Sequence, residues 1–583
     1  MKKQQWKRTA VVAAVMLALG GGLWSATAQA AKKADPAAYS QLRKQNAGQL
    51  ADQQRFVKTT EQAVAFSFGG LSKTVPLQAI LQQMSQDKMH GTFFVTEREL
   101  QRNGNNIALI RSYGQDLGVG LRPVPNGDFN DYCAQIERIQ RGLADSYGVK
   151  SANVVRLMSP VTDDQPVREA VAAKGCFLAG QGLNVVQSKH KEARSVDTVM
   201  PAIFGKWTSS LNRGEIVYIR TDFYTDDTLA ARLLAEIKKD KIDNIAYESY
   251  ADKPGKGLNE SGYRVVSIQN LLSDQAAAWQ TVDTATLPQK SQPDYRDVTV
   301  DEHNFHHEFY KRYIGAPEVS VTDRMLGFSR QEMEQSDRTG VVKTVHDNTV
   351  FLTFDDWGSD DSINKLLYVL HKHKVNATFF IITWNMPNNP NLLRAIAQGG
   401  NEIGCHTNGH KAMAVQDAKG REVRMISDEE YRKDIELAYP KLAAVVGDVR
   451  LPSGRPALTR FLRPPTLAVS RQGCMDILNA GYTYIINGVG STEDYSAVSM
   501  QSLVGIMNHI AHQPNGKVRP GAILIMHMSG AAVRTARALD ILLTNNEQLP
   551  DGDPAKFKVG LLGDYLTGDY SQMMKQKIDK DYR

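Results

Sequence analysis

From Gln62 onward, short apolar runs alternate with amphipathic stretches. Ala63–Phe68 is apolar, Leu77–Gln86 has the spacing of a helix with one apolar face, and Gly91–Val95 is apolar again. The same succession returns as Val350–Phe354, Ile363–Lys372 and Ala377–Ile382. Strands alternating with crossover helices predict parallel sheets, an α/β fold. The two passages also match residue by residue. Phe354, Phe379, Phe380 and Gly404 fall on Phe68, Phe93, Phe94 and Gly118 at a constant separation of 286 residues, and Thr378 falls on Thr92. Further on, the segment 213–220 resembles 519–527; matching Gly214 to Gly521 sets Arg220 opposite His527. Ala173-Lys174-Gly175 likewise matches Asn479-Ala480-Gly481. Units this long are duplicated domains rather than solenoid repeats.

The pattern divides the chain. Residues 31–58 are polar and Gln-rich and read as a lead-in helix or linker; 59–250 form the first copy, 251–344 a poorly periodic linker, and 345–583 the second copy. Within the linker, Ser267–Thr281 reads as a helix that Pro288 and Pro293 end. Residues 1–30 stand apart. Lys2, Lys3, Lys7 and Arg8 precede an apolar stretch from Ala10 to Trp24, then Ala28-Gln29-Ala30. This reads as an export signal cleaved after Ala30, a retained N-terminal anchor being the rival, and it implies a secreted or periplasmic protein. No other stretch is apolar and long enough for a membrane span.

Removing the signal changes the charge. Its four basic residues leave 65 against 63 acidic ones, about +2 instead of +6. A nearly balanced chain carries no electrostatic footprint for nucleic acid. Export would allow Cys133, Cys176, Cys405 and Cys474 to oxidise, most simply as Cys133–Cys176 and Cys405–Cys474.

The two copies differ in their polar atoms. Asp355 and Asp356 fall on Gly69 and Gly70, while His406 and His410 fall on Gly120 and Val124. Adjacent carboxylates at a strand end point apart, so one can bind a cation while the other faces a substrate. Two histidines four apart converge on a metal if the segment turns helically after its strand. One carboxylate and two imidazoles leave an open position, as catalytic zinc-type sites do. A second histidine cluster, His303 and His307, fits a solvated or packed helix face better than a ligand set.

The motifs resemble those of the polysaccharide deacetylases of the NodB-homology type, carbohydrate esterase family 4. The resemblance covers about residues 349–567. Thr353-Phe354-Asp355-Asp356 matches the first motif, which implies Asp355 as general base and Asp356 as metal ligand. His406-Thr407-Asn408-Gly409-His410 matches the second and implies two histidine ligands. Phe461-Leu462-Arg463-Pro464-Pro465 matches the third, whose arginine orients the base, and Leu524-Ile525-Met526-His527 the fifth, whose histidine is the acid. Asp494-Tyr495 stands where the family has Asp-Trp, and its Asp tunes that acid. Thr466 follows the double proline where the family has Tyr, and its backbone N–H takes the oxyanion contact by resemblance. Pro465, Thr466, Tyr495 and Trp357 are the expected substrate contacts; Trp357 offers either a stacking face or a buried packing residue.

The resemblance implies two irregular (β/α) barrels, the first degenerate, and a divalent metal, zinc first with cobalt or another ion as alternatives. The expected activity is de-N-acetylation of an N-acetylglucosamine-containing polysaccharide: peptidoglycan, chitin oligomers or poly-N-acetylglucosamine. O-deacetylation of a glycan such as xylan and a non-catalytic glycan-binding or matrix protein are the alternatives. The first copy, lacking ligands, is expected either to pack on the second or to extend its groove through Arg122, Arg220, Tyr218 and Tyr224.

Overall fold

The structure is a computed structural model describing residues 39–581, apart from 150–151, 159–163, 207, 248–261, 287–298, 318–324, 417–421, 424–425 and 497. The expected export signal lies outside the described residues.

Eight parallel strands make the first sheet. They are β1 (Ala63–Gly69), β2 (Thr92–Val95), β3 (Asp116–Leu121), β4 (Val154–Leu157), β5 (Phe177–Leu178), β6 (Leu183–Asn184), β7 (Ile216–Arg220) and β8 (Arg264–Val266). Their order is β5-β4-β3-β2-β1-β7-β6, with β8 also on β1. The second half adds β9 (Tyr313–Ile314), β10 (Met325–Leu326), β11 (Thr349–Asp356), β12 (Thr378–Ile381) and β13 (Glu402–Cys405). There follow β14 (Val415–Gln416), β15 (Glu422–Val423), β16 (Leu458–Leu462), β17 (Val469–Ser470), β18 (Tyr484–Ile486), β19 (Gly490–Ser491), β20 (Ile523–His527) and β21 (Lys558–Gly560). The second sheet runs β19-β20-β11-β12-β13-β16-β18-β9, with β21 on β11; β10 pairs β17 and β14 pairs β15 apart from it.

Both sheets are curled and parallel, with helices in the crossovers: the α/β arrangement predicted from the alternation, in the irregular (β/α) form that the family resemblance implies. Their strand orders correspond one to one apart from the added β9. The register repeats too: Phe68 pairs with Phe93 as Phe354 pairs with Phe379, and Gly69 pairs with Arg220 as Asp355 pairs with His527. Packing explains the repeated Phe–Gly pair. A Cβ on Gly404 would lie 2.7 Å from the Phe380 ring, and one on Gly118 2.9 Å from the Phe94 ring. Each half buries its own principal core, one around Phe66, Phe68 and Phe93, the other around Phe354 and Phe379.

The halves meet end to side. In the first sheet the residues just before the strands face the junction: Thr59 before β1, Arg213 before β7 and Tyr263 before β8. Their partners follow β11 and β12, on the side of the second sheet where its strands end. Asp360, fully buried, accepts from the Arg213 backbone N–H (3.0 Å), the Tyr263 hydroxyl and Asn389 Nδ2. Asn391 donates to the carbonyls of Val57 (2.8 Å) and Arg213 (2.7 Å) and accepts from Thr59 N–H and Trp279 Nε1. A cavity of about 190 Å³ lies beside this network, lined by Arg55, Asn212 and Glu215 among others.

Three expectations change. The lead-in helix is short, Ser40–Asn46. The helix expected over Ser267–Thr281 runs only from Ile268 to Ser273, and β8 and β9, inside the expected linker, belong to the two sheets. All four cysteines are buried and free. Cys405 points into the core, where the Tyr482 hydroxyl approaches its sulfur at 3.2 Å, and burial pushes its thiol up to about 12. Among the described residues no helix is long and apolar enough to cross a membrane.

Candidate active site

Asp355 and Asp356 end β11, and Arg463 follows β16. Asp355 is buried, and its Oδ1 accepts from Arg463 Nη1 at 2.6 Å. Arg463 is wholly enclosed. It also donates to Thr353 Oγ1 (2.8 Å) and the carbonyls of Ile486 (3.0 Å) and Asn487 (3.1 Å), and it lies 4.2 Å over the Phe380 ring. Burial lowers its pKa, with Asp355 opposing. All three guanidinium nitrogens are used, four of the five N–H groups donating, so the carboxylate it grips is held in one orientation.

Asp356 turns the other way. Its backbone sits at φ +85°, a region L-residues avoid. His410 Nε2 lies 3.5 Å from its carboxylate and His406 Nε2 3.9 Å. His406 Nδ1 is 2.8 Å from the Arg463 carbonyl, which makes it the donor and leaves the Nε2 lone pair facing the carboxylates. Burial holds His406 below its ordinary pKa, against the pull of Asp355 and Asp356. One donor atom each from Asp356, His406 and His410 lies within 4.8 Å of the others, the single such group of three among the described residues. One carboxylate oxygen and two imidazole nitrogens this close together suit a divalent cation.

His527 ends β20, beside Asp355 in register. Its Nδ1 is 2.6 Å from Asp494 Oδ1, and its backbone N–H donates to Asp494 Oδ2 at 2.9 Å. Burial works against its protonation, but the Asp494 hydrogen bond and the charges of Asp355, Asp494 and Asp356 outweigh that and raise its pKa. Thr466 is exposed at φ +62°, and its backbone N–H has no partner among the described residues. Pro465 is buried beside it. Tyr495 is 52% exposed, its ring edge-on to His527 at 4.9 Å. Trp357 is half-buried against the core, the packing alternative. His303 is exposed near Asp301 and joins no metal-ligating group.

A family model described as polysaccharide deacetylase matches residues 342–485. A chitooligosaccharide deacetylase of Rhizobium leguminosarum bv. trifolii is 31% identical over 181 residues, 31% of this chain and 72% of that protein. The chain belongs to the polysaccharide deacetylase family. A peptidoglycan-N-acetylglucosamine deacetylase of Bacillus cereus is 27% identical over 178 residues; the chain spans 55% of that relative's length. Among solved structures, a peptidoglycan N-acetylglucosamine deacetylase aligns with 38% of this chain and 89% of its own at 23% identity (TM-score 0.31). A family 4 pseudoenzyme from Bacillus anthracis aligns at 24% identity over 38% of this chain and 66% of its own (TM-score 0.29).

Two features of this family member escape sequence reading. Trp384, 64% exposed, stands on the loop after β12, its backbone N–H donating to the Asn408 carbonyl (3.0 Å) beside the histidine turn. A lone Trp off the apolar period was the available signal. In the first half, Arg156 occupies the place of Arg463, because β3 and β4 pair as β13 and β16 do. It donates to the Gly180 carbonyl much as Arg463 does to that of Asn487, but stacks 3.7 Å over Tyr218. A Cβ on Gly69 would strike Met158 and the Tyr218 hydroxyl at 2.6 Å each, so these two side chains fill the space where Asp355 reaches in the second half. The expected groove set does not assemble: Tyr224 is buried, its hydroxyl donating to the Val185 carbonyl.

Proposed function

We propose that the second half hydrolyses acetyl groups from an N-acetylglucosamine-containing glycan, releasing acetate and a free amino sugar. The observation that carries this is the pairing of Asp355 with His527 on neighbouring strands, the first held by Arg463 and the second by Asp494. A carboxylate and an imidazole side by side, the imidazole with its pKa raised, suit acid–base hydrolysis. A divalent cation at Asp356, His406 and His410 would supply Lewis acidity to the substrate carbonyl and to the attacking water. Zinc fits the donor set first; cobalt or another divalent ion is the alternative.

Asp355 takes the proton of the attacking water, and Arg463 keeps its carboxylate aimed. The free Thr466 N–H donates to the carbonyl oxygen as charge develops there. His527, protonated with the help of Asp494, delivers a proton to the leaving nitrogen. Trp384 and Tyr495 offer exposed rings on which sugars can stack. Protein relatives named for peptidoglycan and chitooligosaccharides support a glucosamine-based glycan.

The first half serves as a scaffold in this reading. Among the described residues its filled strand ends carry no ligand set, and its opposite ends grip Asp360, four residues after Asp356. The export reading makes the site of action periplasmic or extracellular; mass measurement of the mature N-terminus tests it.

Acetate release from glucosamine oligomers, peptidoglycan and acetylxylan, with zinc-loaded protein beside its His406→Ala variant, tests the activity. Acetate from a glucosamine substrate, lost in the variant, is the expected result. Release from acetylxylan alone replaces the amide reading by an ester one, and silence across the panel removes it.

A further inference from the structure

The two histidines of the candidate metal site are held very differently. His406 is buried, and its ring is anchored on the Arg463 carbonyl. His410 is exposed; its ring faces Asp356 and has no hydrogen bond to any other described residue. Its direction therefore depends on the turn that carries it. That turn is strained, with Thr407 at φ +63° and His410 at φ +54°.

The helix Asp428–Val446 holds the turn from outside. Asp434 Oδ2 accepts from the backbone N–H groups of Asn408 and Gly409, both at 3.1 Å, and Oδ1 faces Asn408 Nδ2 at 3.4 Å. Two helical turns later Lys441 donates to Asn408 Oδ1 at 2.6 Å. The first half contains its own control. Arg122 takes the place of Asn408 there, and its backbone N–H donates at 3.1 Å to the side chain of Gln135, on the helix Phe129–Tyr147. The contact is common to both halves. It is a carboxylate beside the histidine pair and a neutral amide where no histidines stand.

We propose that Asp434 is a positioning residue for the metal site, fixing the turn of Asn408 and Gly409 so that His410 faces Asp356 and adding negative charge behind the two imidazoles. The inference rests on the metal-site reading above. A neutral amide satisfies the backbone N–H, as Gln135 does, so the fold survives its loss. What goes is the second strong N–H contact and the charge that favours a bound cation.

The test measures zinc affinity of the full chain by competition with a chromophoric chelator, for the wild type, Asp434→Asn, Asp434→Gln and Asp434→Glu. Both amide variants should bind zinc about 10- to 100-fold more weakly, the usual size of such outer-shell effects. Asp434→Glu should recover part of the loss, and the metal-free melting temperatures should stay together. Wild-type affinity in either amide variant overturns the inference and leaves the metal reading intact. A wild type that binds no zinc overturns both. If Asp434→Asn and Asp434→Gln fail to fold, Asp434 is a fold residue and the inference is wrong.

Discussion

Asp356, the last residue of β11, and Gly70, the residue after β1, occupy corresponding places, and share the same left-handed backbone, φ +85° and φ +74°. Glycine adopts this conformation freely; an aspartate there costs about 1–3 kcal/mol. The strained residue is the one that reaches the histidines. Fold and site therefore pull against each other at this position, and the first half shows the relaxed version.

Asp356→Gly should accordingly give a metal-free protein that melts no lower than the wild type. The same variant should lose the rise in melting temperature that zinc produces in the wild type. Calorimetry with and without zinc decides it. A metal-free melting point several degrees lower would show that Asp356 supports the fold rather than straining it.

Asp355→Asn should abolish nearly all turnover, about 10²- to 10⁴-fold for loss of a general base. It should also destabilise the protein by roughly 3 kcal/mol, because Arg463 keeps its charge in a fully buried position without its carboxylate. Zinc affinity should persist, since Asp355 lies outside the three-donor group. Urea unfolding beside chelator competition separates the two effects, and near-wild-type acetate release rejects Asp355 as the base.

His527 acts only while protonated, so activity should fall as pH rises through its raised pKa. Asp494→Asn removes the carboxylate partner at 2.6 Å that raises it. The alkaline limb of the rate profile should then move to lower pH, with the acid limb left in place. An unmoved alkaline limb would assign that limb to another group.

Much of this was legible beforehand, for physical reasons. The βαβ alternation is written in apolar runs, and the Phe–Gly pairs recur because each ring occupies the room a Cβ would need. The separation of 286 residues holds only through β3 and its partner. Beyond it the second half carries a longer connection, so Arg156 matches Arg463 at a different separation and went unseen. Gln135 and Asp434 are related by what they bond, not by residue type, and only the packed turn reveals it. Of the expected groove residues Tyr224 is buried, and the place of Arg122, Arg220 and Tyr218 follows from topology. Those residues lie at the strand ends opposite the junction, roughly 20 Å away along a seven-residue strand.

The junction itself should make stability depend on pH. Burial raises the Glu215 carboxyl to about 7, the Asn212 N–H working against this and nearby Asp360 adding to it. Asp360 is itself raised to about 6, again chiefly by burial. Between the ordinary carboxylate value and these raised ones, the folded protein holds protons that the unfolded chain has released. Stability therefore falls as pH rises through that window, and the penalty is complete above about 7. Glu215→Gln keeps an acceptor for the Asn212 N–H without the charge. It should match the wild type near pH 4.5 and exceed it at pH 8, by up to about 3 kcal/mol at ~1.4 kcal/mol per pH unit. Urea titrations at both pH values measure the difference. Equal stability of the two proteins at pH 8 would mean that water or Arg55 solvates the carboxylate, and that the junction is more open than its packing indicates.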